Sequence, residues 1–507
     1  MSLYRCAASA AIAVFITGCA LQPVYQRPAA PVTSTYPVGE AYKSLAGEPD
    51  GTMLAAGDIG WRNFLVDARL QRLVELALQN NRDLRVAVLN MQKVQAQYRI
   101  QRAALYPQVN AVANGSARGG PSNSSSSGNS TVNHNYSADL SASWELDFFG
   151  RLRNLSEAAL DQYLASAYGR QATQILLVAQ VADQYLTVIS YDEVLAVTQR
   201  TLEAAQASYK IVKLQFDTGT ASELDLRLSQ TTVEQALSNH AAQIRLRAQA
   251  ENALVLLVGQ PLPQDLPPAV RLDGQRILAD IPAGLPSDLL ARRPDILQSE
   301  ALLQSENANI GAARAAFFPR IALTGTLGTA SSTLSGLFAA GSGAWSFVPS
   351  LIAPIFNAGA NQANLDVAVL QKDIGIAQYE KAIQVAFREV SDGLAARGTY
   401  DNQLAALQRY TDAQQRRLDL ANMLYVNGVD NYLNVLTAQT DLYNAQQALV
   451  AARLNRLTSL VDLYRALGGG WLEHSGDQPL PADTLGQSAP SASRQSLRPA
   501  QSSLAPH

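Results

Sequence analysis

Four histidines and two cysteines are the residues of this 507-residue chain best suited to metal ligation or nucleophilic chemistry. His134, His240, His474 and His507 are scattered over a loop, a helical pattern and the C-terminal tail, and Cys6 and Cys19 lie within the first 20 residues. A zinc site needs three or four ligands converging, and an activated nucleophile needs a base beside it. Neither constellation can be assembled from this spacing. No G-x-S-x-G, H-E-x-x-H or phosphate-loop pattern occurs, and AGSGA around Gly341 reads as a flexible loop. The expectation is a protein that is not an enzyme and holds neither cofactor nor metal. Hydrophobic residues make up 47% and charged residues 16%, with a formal net charge of -3. That balance supplies no basic surface for nucleic acid and too much apolar character for disorder. No uninterrupted apolar run reaches the roughly 18 residues of a membrane-spanning helix.

The chemistry left to Cys19 is acylation. Arg5 precedes a short apolar run from Ala7 to Ile16, the pattern of a secretory signal peptide. Ile16-Thr17-Gly18-Cys19 resembles a bacterial lipobox, so residues 1–18 are expected to be removed and Cys19 to carry the lipid. Cys6 leaves with the signal, and no intrachain disulfide can form. In lipoproteins of this kind the cysteine receives a diacylglycerol and an N-acyl chain, which suffices where a single chain would not. Ala20, in place of an acidic residue, favours the outer membrane. Residues 19–60 begin with the Pro-rich LQPVYQRPAAPVTSTYP and read as an extended segment. Residues 472–507, rich in Ser, Pro, Ala and Gln, read as a disordered tail.

Between these ends the chain is an internal duplication. RDLRVAVLNMQKVQAQYRIQRAALYPQV (82–109) aligns without gaps on PDILQSEALLQSENANIGAARAAFFPRI (294–321), matching Asp83 to Asp295, Arg102 to Arg314 and Pro107 to Pro319. FDTGTASELDLRLSQ (216–230) aligns on YVNGVDNYLNVLTAQ (425–439), matching Gly219 to Gly428, Leu224 to Leu433 and Gln230 to Gln439. The repeats are 61–285 and 286–471. Each reads as helix, proline, β-rich stretch and long helical hairpin.

The β-rich stretches alternate. Ala138, Leu140, Ala142, Trp144 and Leu146 point one way, against Ser137, Asp139, Ser141, Ser143, Glu145 and Asp147. Ile321, Leu323 and Leu327 alternate with Ala322, Thr324 and Thr326. Four strands of roughly 9–11 residues suit either a soluble sheet or tilted membrane strands. The loops are assigned to 116–135 and 330–343. From Leu155 to Phe216 there is no proline, so a helix there spans on the order of 90 Å. Apolar residues recur every seven positions at Val181, Val188, Leu195, Leu202, Tyr209 and Phe216, and again at Leu436, Tyr443, Val450, Leu457 and Tyr464. That period is the mark of coiled-coil packing.

Four strands cannot close a membrane barrel, and open edges in lipid are forbidden. If the strands enter a membrane, several chains must share one barrel, and their helical hairpins then form a tube. A lipid-anchored periplasmic coiled-coil scaffold or adaptor is the alternative reading.

The duplicated plan, the Tyr-Pro and Phe-Pro turns into strands, the two hairpin tips and the lipobox together resemble the outer membrane factor (TolC-like) family, in its lipidated OprM-like branch, over about Trp61 to Trp471. The fold so implied is mainly α with a membrane β-barrel part. Duplicated helical hairpins form an α-barrel, and four strands per chain enter a shared trimeric 12-stranded barrel. The resemblance also implies a homotrimer that serves as the outer-membrane exit duct of a tripartite efflux pump for drugs and small molecules. Its implied partners are outer-membrane lipid, a periplasmic adaptor and an inner-membrane transporter of the RND type.

Gly219 and Gly428, each after a polar residue, mark helix-to-helix reversals. Thr218, Gly219, Thr220, Asn427, Gly428 and Val429 are therefore the candidate adaptor-contacting tips. By motif match, Leu433 stands at an apolar constriction position of the OprM-like branch, and Asn434 at one of the constriction aspartates of the TolC type. Thr437 falls where both branches commonly carry aspartate, and Thr440 where the OprM-like branch carries arginine. The first-half equivalents are Leu224, Asp225, Leu228 and Thr231. Asp225 is either an acidic pore ring that attracts cations or a helix-start charge. With charge missing at Asn434, Thr437 and Thr440, the expected gate closes by leucines and polar packing.

Overall fold

Asn81 and the Arg293-Pro294 pair open two equivalent helices in a computed structural model that describes residues 21–42, 54–119, 132–278, 281–282 and 284–477. The Asn81 side chain caps by accepting from the Leu84 N–H, whereas Pro294 occupies the first helical turn, where its missing N–H costs nothing. The helices of more than four residues are α1 (Ala68–Asn80), α2 (Arg82–Ala103), α3 (Arg151–Asp217), α4 (Glu223–Val258), α5 (Pro294–Ala315), α6 (Ala360–Val426) and α7 (Tyr432–Ala466). The duplication recurs residue for residue: α2 and α5 have 22 residues each, and α3 and α6 have 67 each. A 67-residue helix is about 100 Å long.

The strands β1 (Gln108–Gly119), β2 (Val132–Leu146), β3 (Arg320–Ser331) and β4 (Gly343–Ile352) form one antiparallel sheet in chain order. At 12, 15, 12 and 10 residues they mostly exceed the expected length. The first hairpin is longer than its sequence advertises. Ser116 pairs with Asn135 and Gly119 with Val132, inside the stretch assigned to loop. Backbone pairing carries this Ser-, Gly- and Asn-containing stretch as strand where local propensity argues for a loop. Residues 120–131 lie outside the described set.

Register sorts the sheet into two faces. One row runs Ala111, Leu140, Leu327, Trp345, and the row beside it on the other face runs Asn110, Ser141, Thr326, Ser346. The Thr326 and Ser346 hydroxyls share a 2.7 Å hydrogen bond on that polar face. Leu140, Leu327, Trp345, Phe347 and Leu351 are exposed on the apolar one, and the sheet's substantial packing is strand to strand only. A bare apolar face of this kind belongs against lipid or another chain.

The helices keep the order of the strands they serve. α2, α3, α5 and α6 lie side by side next to the sheet, and α4, α3, α7 and α6 lie side by side beyond it. The two layers meet at a core that includes Trp61, Phe64, Leu73, Leu186, Tyr379 and Leu463, with Phe64 stacked on Tyr464 at 3.9 Å. One 18-residue stretch of α3 is long and apolar enough for a membrane span, but more than half of it is buried against its neighbours. It is a core helix by packing. Past Trp471, the Leu472 and Glu473 carbonyls accept from Trp61 and Arg62. Ordered structure thus continues to this clamp; residues from 478 on, like Cys19 and the expected signal peptide, lie outside the described set.

The extended segment at Leu21–Tyr42 runs as a strap along α5. Arg314 donates to the Leu21 carbonyl (3.1 Å), Asn307 to that of Pro23 (2.7 Å), and Arg27 pairs with the buried Glu300, which also accepts from Tyr25 (3.2 Å). Further on, Tyr36 stacks on Phe387 of α6.

Where α3 passes α7, burial raises the Asp183 carboxyl from its ordinary 3.8 to about 7, and Asp462 pushes the same way against Arg465. Asp183 Oδ1 has no hydrogen-bond partner. Because the folded value lies above the unfolded one, this group's stabilising share is complete below pH 4 and fades as pH rises through 7. Asp183→Asn is expected to stabilise the protein by about 1–3 kcal/mol at pH 8 and to leave it unchanged at pH 4. Thermal midpoints at the two pH values check this; equal effects at both would contradict it.

Candidate hairpin-tip gate

Each hairpin reverses through the same hydrogen-bond pattern, and glycine makes it possible. At the first tip Gly219 has φ +77°, its N–H donates to the Phe216 carbonyl (2.9 Å), and the Thr220 N–H reaches back to Gln215 (2.8 Å). At the second tip Gly428 has φ +68°, its N–H donates to Tyr425 (2.9 Å), and the Val429 N–H reaches Leu424 (3.0 Å). These paired bonds terminate a helix on a left-handed residue. Ser222 and Asn431 then cap the returning helices. Thr218, Gly219, Thr220, Asn427, Gly428 and Val429 are all exposed.

Immediately behind the turns the four arms meet in a small core. Val212 of α3, Ala421 of α6, and Tyr432, Val435, Leu436 and Ala438 of α7 are buried together, with Leu226 and Leu228 of α4 packed on them. Two tyrosines join one hairpin to the other. Tyr432, 2% exposed, shares a 2.7 Å hydrogen bond with Ser208, and Tyr425 donates to Gln215 Oε1 at 2.7 Å. Their rings lie 5.1 Å apart. Burial raises both phenols, with a lesser push from Asp225. Inside each hairpin, by contrast, ion pairs link the arms: Arg417 to Asp441 and Arg456 to Asp401 in the second, Arg247 to Asp192 in the first. At tip level no ion pair joins the two hairpins among the described residues.

The gate candidates divide. Leu224 and Leu433 are exposed just behind the turns. Leu228 instead packs into the tip core. Asp225 closes a capping box, its carboxylate accepting from the Ser222 N–H and hydroxyl. Asn434 donates to both oxygens of Asp430 at 2.8 Å, which holds that carboxyl below the usual range. The Thr437, Thr440 and Thr231 hydroxyls bond back to carbonyls of their own helices. The tyrosine pair escaped the sequence reading, although the duplication marks it: Tyr425 and Tyr432 stand where the first repeat has Phe216 and Glu223. Among the described residues, no three His, Cys, Asp or Glu gather as a metal site.

A family model described as outer membrane efflux protein matches residues 73–260 and 285–469. The chain belongs to that family. It is 48% identical over 470 residues to the toluene efflux pump outer membrane protein TtgC of Pseudomonas putida, covering 92% of this chain and 96% of that one. It is 44% identical over 466 residues to the outer membrane protein OprJ of Pseudomonas aeruginosa, covering 91% and 95%. The open-state structure of the Neisseria gonorrhoeae MtrE outer membrane channel matches with a TM-score of 0.80 at 40% identity, covering 90% of this chain and 100% of that one. The protein is therefore an outer-membrane efflux channel of Gram-negative bacteria with a large periplasmic helical part, and not an enzyme. Its family works as trimers with an adaptor and an inner-membrane transporter. The scaffold alternative falls with this result.

Proposed function

We propose that three copies join head to tail into one passive duct, that the hairpin tips close its periplasmic end, and that Cys19 adds a lipid anchor. The observation that carries the reading is that both borders of each layer are unsatisfied. β1 and β4 each offer an unpaired strand edge. Beside them, Val86, Leu89 and Ile100 of α2, and Val367 and Leu370 of α6, are more than half exposed. Two different, complementary borders make a heterologous contact that repeats until a ring closes. Three copies give a 12-stranded barrel, above the smallest size that membrane barrels adopt. The apolar face then meets lipid, and the polar face, with Ser141, Thr326 and Ser346, lines water.

The tips are proposed to meet the adaptor, with an RND-type transporter behind it. Leu433 and Leu224 supply an apolar constriction, while Asn434 and Thr437 take up hydrogen bonds where a charged lock would carry ions. Asp225, tied into its helix cap, adds an acidic group to it. Relatives named for toluene and other solvents or antibiotics suggest small organic cargo here too. A wide wet tube needs no chemical recognition of it.

Trp345, 78% exposed on the apolar face, tests the membrane reading. Comparing the native protein with Trp345→Phe isolates its fluorescence. In vesicles this component is expected to be quenched strongly by brominated lipid chains and little by aqueous acrylamide. The reverse order would sink the membrane assignment of the sheet.

A further inference from the structure

Between the two hairpins, α3, α6, α7 and the connecting segment at Ala269–Arg271 line a half-open cleft of about 530 Å³, within the size range of small-molecule sites. Glu193 lines it and is 8% exposed. One of its carboxylate oxygens, Oε1, accepts from the Leu272 N–H at 2.9 Å, while Oε2 has no hydrogen-bond partner. Two guanidinium groups pair with the carboxylate at longer than hydrogen-bond distance, Arg271 Nε 3.7 Å from Oε1 and Arg453 Nη1 3.8 Å from Oε2, so Oε2 is ion-paired but receives no hydrogen bond. A buried carboxylate oxygen without a donor is costly unless a group from elsewhere supplies one. Two helical turns further along the same face of α3, Arg200 also lines the cleft and has no carboxylate partner among the described residues; it donates only to the Ala196 carbonyl of its own helix, at 3.3 Å. Ile189, Val197, Val270, Leu449 and Val450 supply apolar wall.

The cleft therefore holds a buried carboxylate oxygen without a hydrogen-bond donor, a guanidinium without a carboxylate partner among the described residues, and apolar surface. Seven residues of helix separate Glu193 from Arg200 by roughly 10 Å, about the reach of three extended residues. We propose that this cleft binds a short zwitterionic peptide, with its ammonium on Glu193 Oε2, its carboxylate on Arg200 and an aliphatic side chain against the walls. Such a ligand touches α3 of one hairpin together with α6 and α7 of the other, and so braces the two at mid-length.

Calorimetric titration of the detergent-purified full-length protein with the tripeptide Ala-Leu-Ala tests this. The free tripeptide is expected to bind, and its N-acetyl and C-amide forms to bind at least tenfold more weakly. Arg200→Gln, at an exposed position that does not threaten folding, is expected to erase the difference between the free and amidated forms. Glu193→Gln keeps an oxygen for Leu272 and is expected to erase the difference between the free and acetylated forms. No binding at millimolar tripeptide, equal binding of the three forms, or affinity untouched by Arg200→Gln would overturn the proposal.

Discussion

Replacing Tyr432 by alanine is expected to leave the duct open at its periplasmic end. The ring is almost wholly buried at the meeting point of all four hairpin arms, and its loss removes about 3–5 kcal/mol of packing together with the bond to Ser208. Because the cross-hairpin contacts at this level are neutral hydrogen bonds and apolar packing, nothing ionic remains to hold the tips together. Single-channel recordings should show a larger conductance for Tyr432→Ala. Tyr432→Phe keeps the ring and gives up one hydrogen bond, about 0.5–1.5 kcal/mol, so a smaller rise is expected. Ser208→Ala combined with Tyr432→Phe should add nothing to either change alone, since both delete the same bond. Raising the salt concentration should not open the native channel beyond the bulk conductivity change, since screening acts on charges. An intact Tyr432→Ala assembly with native conductance would remove the tyrosine latch from the gate.

The second large effect is expected far from the tips. Arg27→Ala strips the strap of the guanidinium that faces Glu300, a carboxylate 6% exposed on α5. Breaking a buried pair from one side leaves an uncompensated charge. Arg27 itself is about half exposed, so the cost is set at about 2–3 kcal/mol rather than the full buried value. Tyr25 still donates to Glu300, and the double variant Arg27→Ala with Glu300→Gln keeps that bond while removing the charge. It should recover most of the loss. Melting of the heat-modifiable oligomer bands reads both variants. If Arg27→Ala melts like the native protein, the strap contributes no more than an exposed tether.

Much of this architecture can be read from residue pattern because the duplication supplies two copies of every signal. Pro107 and Pro319 lie at equivalent places just ahead of β1 and β3, and Gly219 and Gly428 sit at left-handed turn positions where other residues are strained. The alternation around Leu140 and Leu327 separates the two sheet faces that the register later pairs row by row. What escapes the pattern depends on neighbours distant in sequence. Nothing local announces that Asn133, His134 and Asn135 continue a strand, because their hydrogen bonds come from β1. Nothing local says that the Pro-rich segment is tied down, because Glu300, Asn307 and Arg314 are more than 270 residues away. At the tip, Leu228 stands at a pore position by motif match, and the structure packs it, partly buried, on the cluster that joins the four helices. Asp225 has a strong local reason for its place, the Ser222 capping box, whatever field it adds to the pore.

The central claim is that this chain builds a water-filled duct through the outer membrane, and planar-bilayer reconstitution tests it most directly. Purified full-length protein added to one side of a lipid bilayer is predicted to insert and give discrete, long-lived conductance steps. An intact oligomer that inserts or binds yet carries no current, with Tyr432→Ala equally silent, would contradict the account.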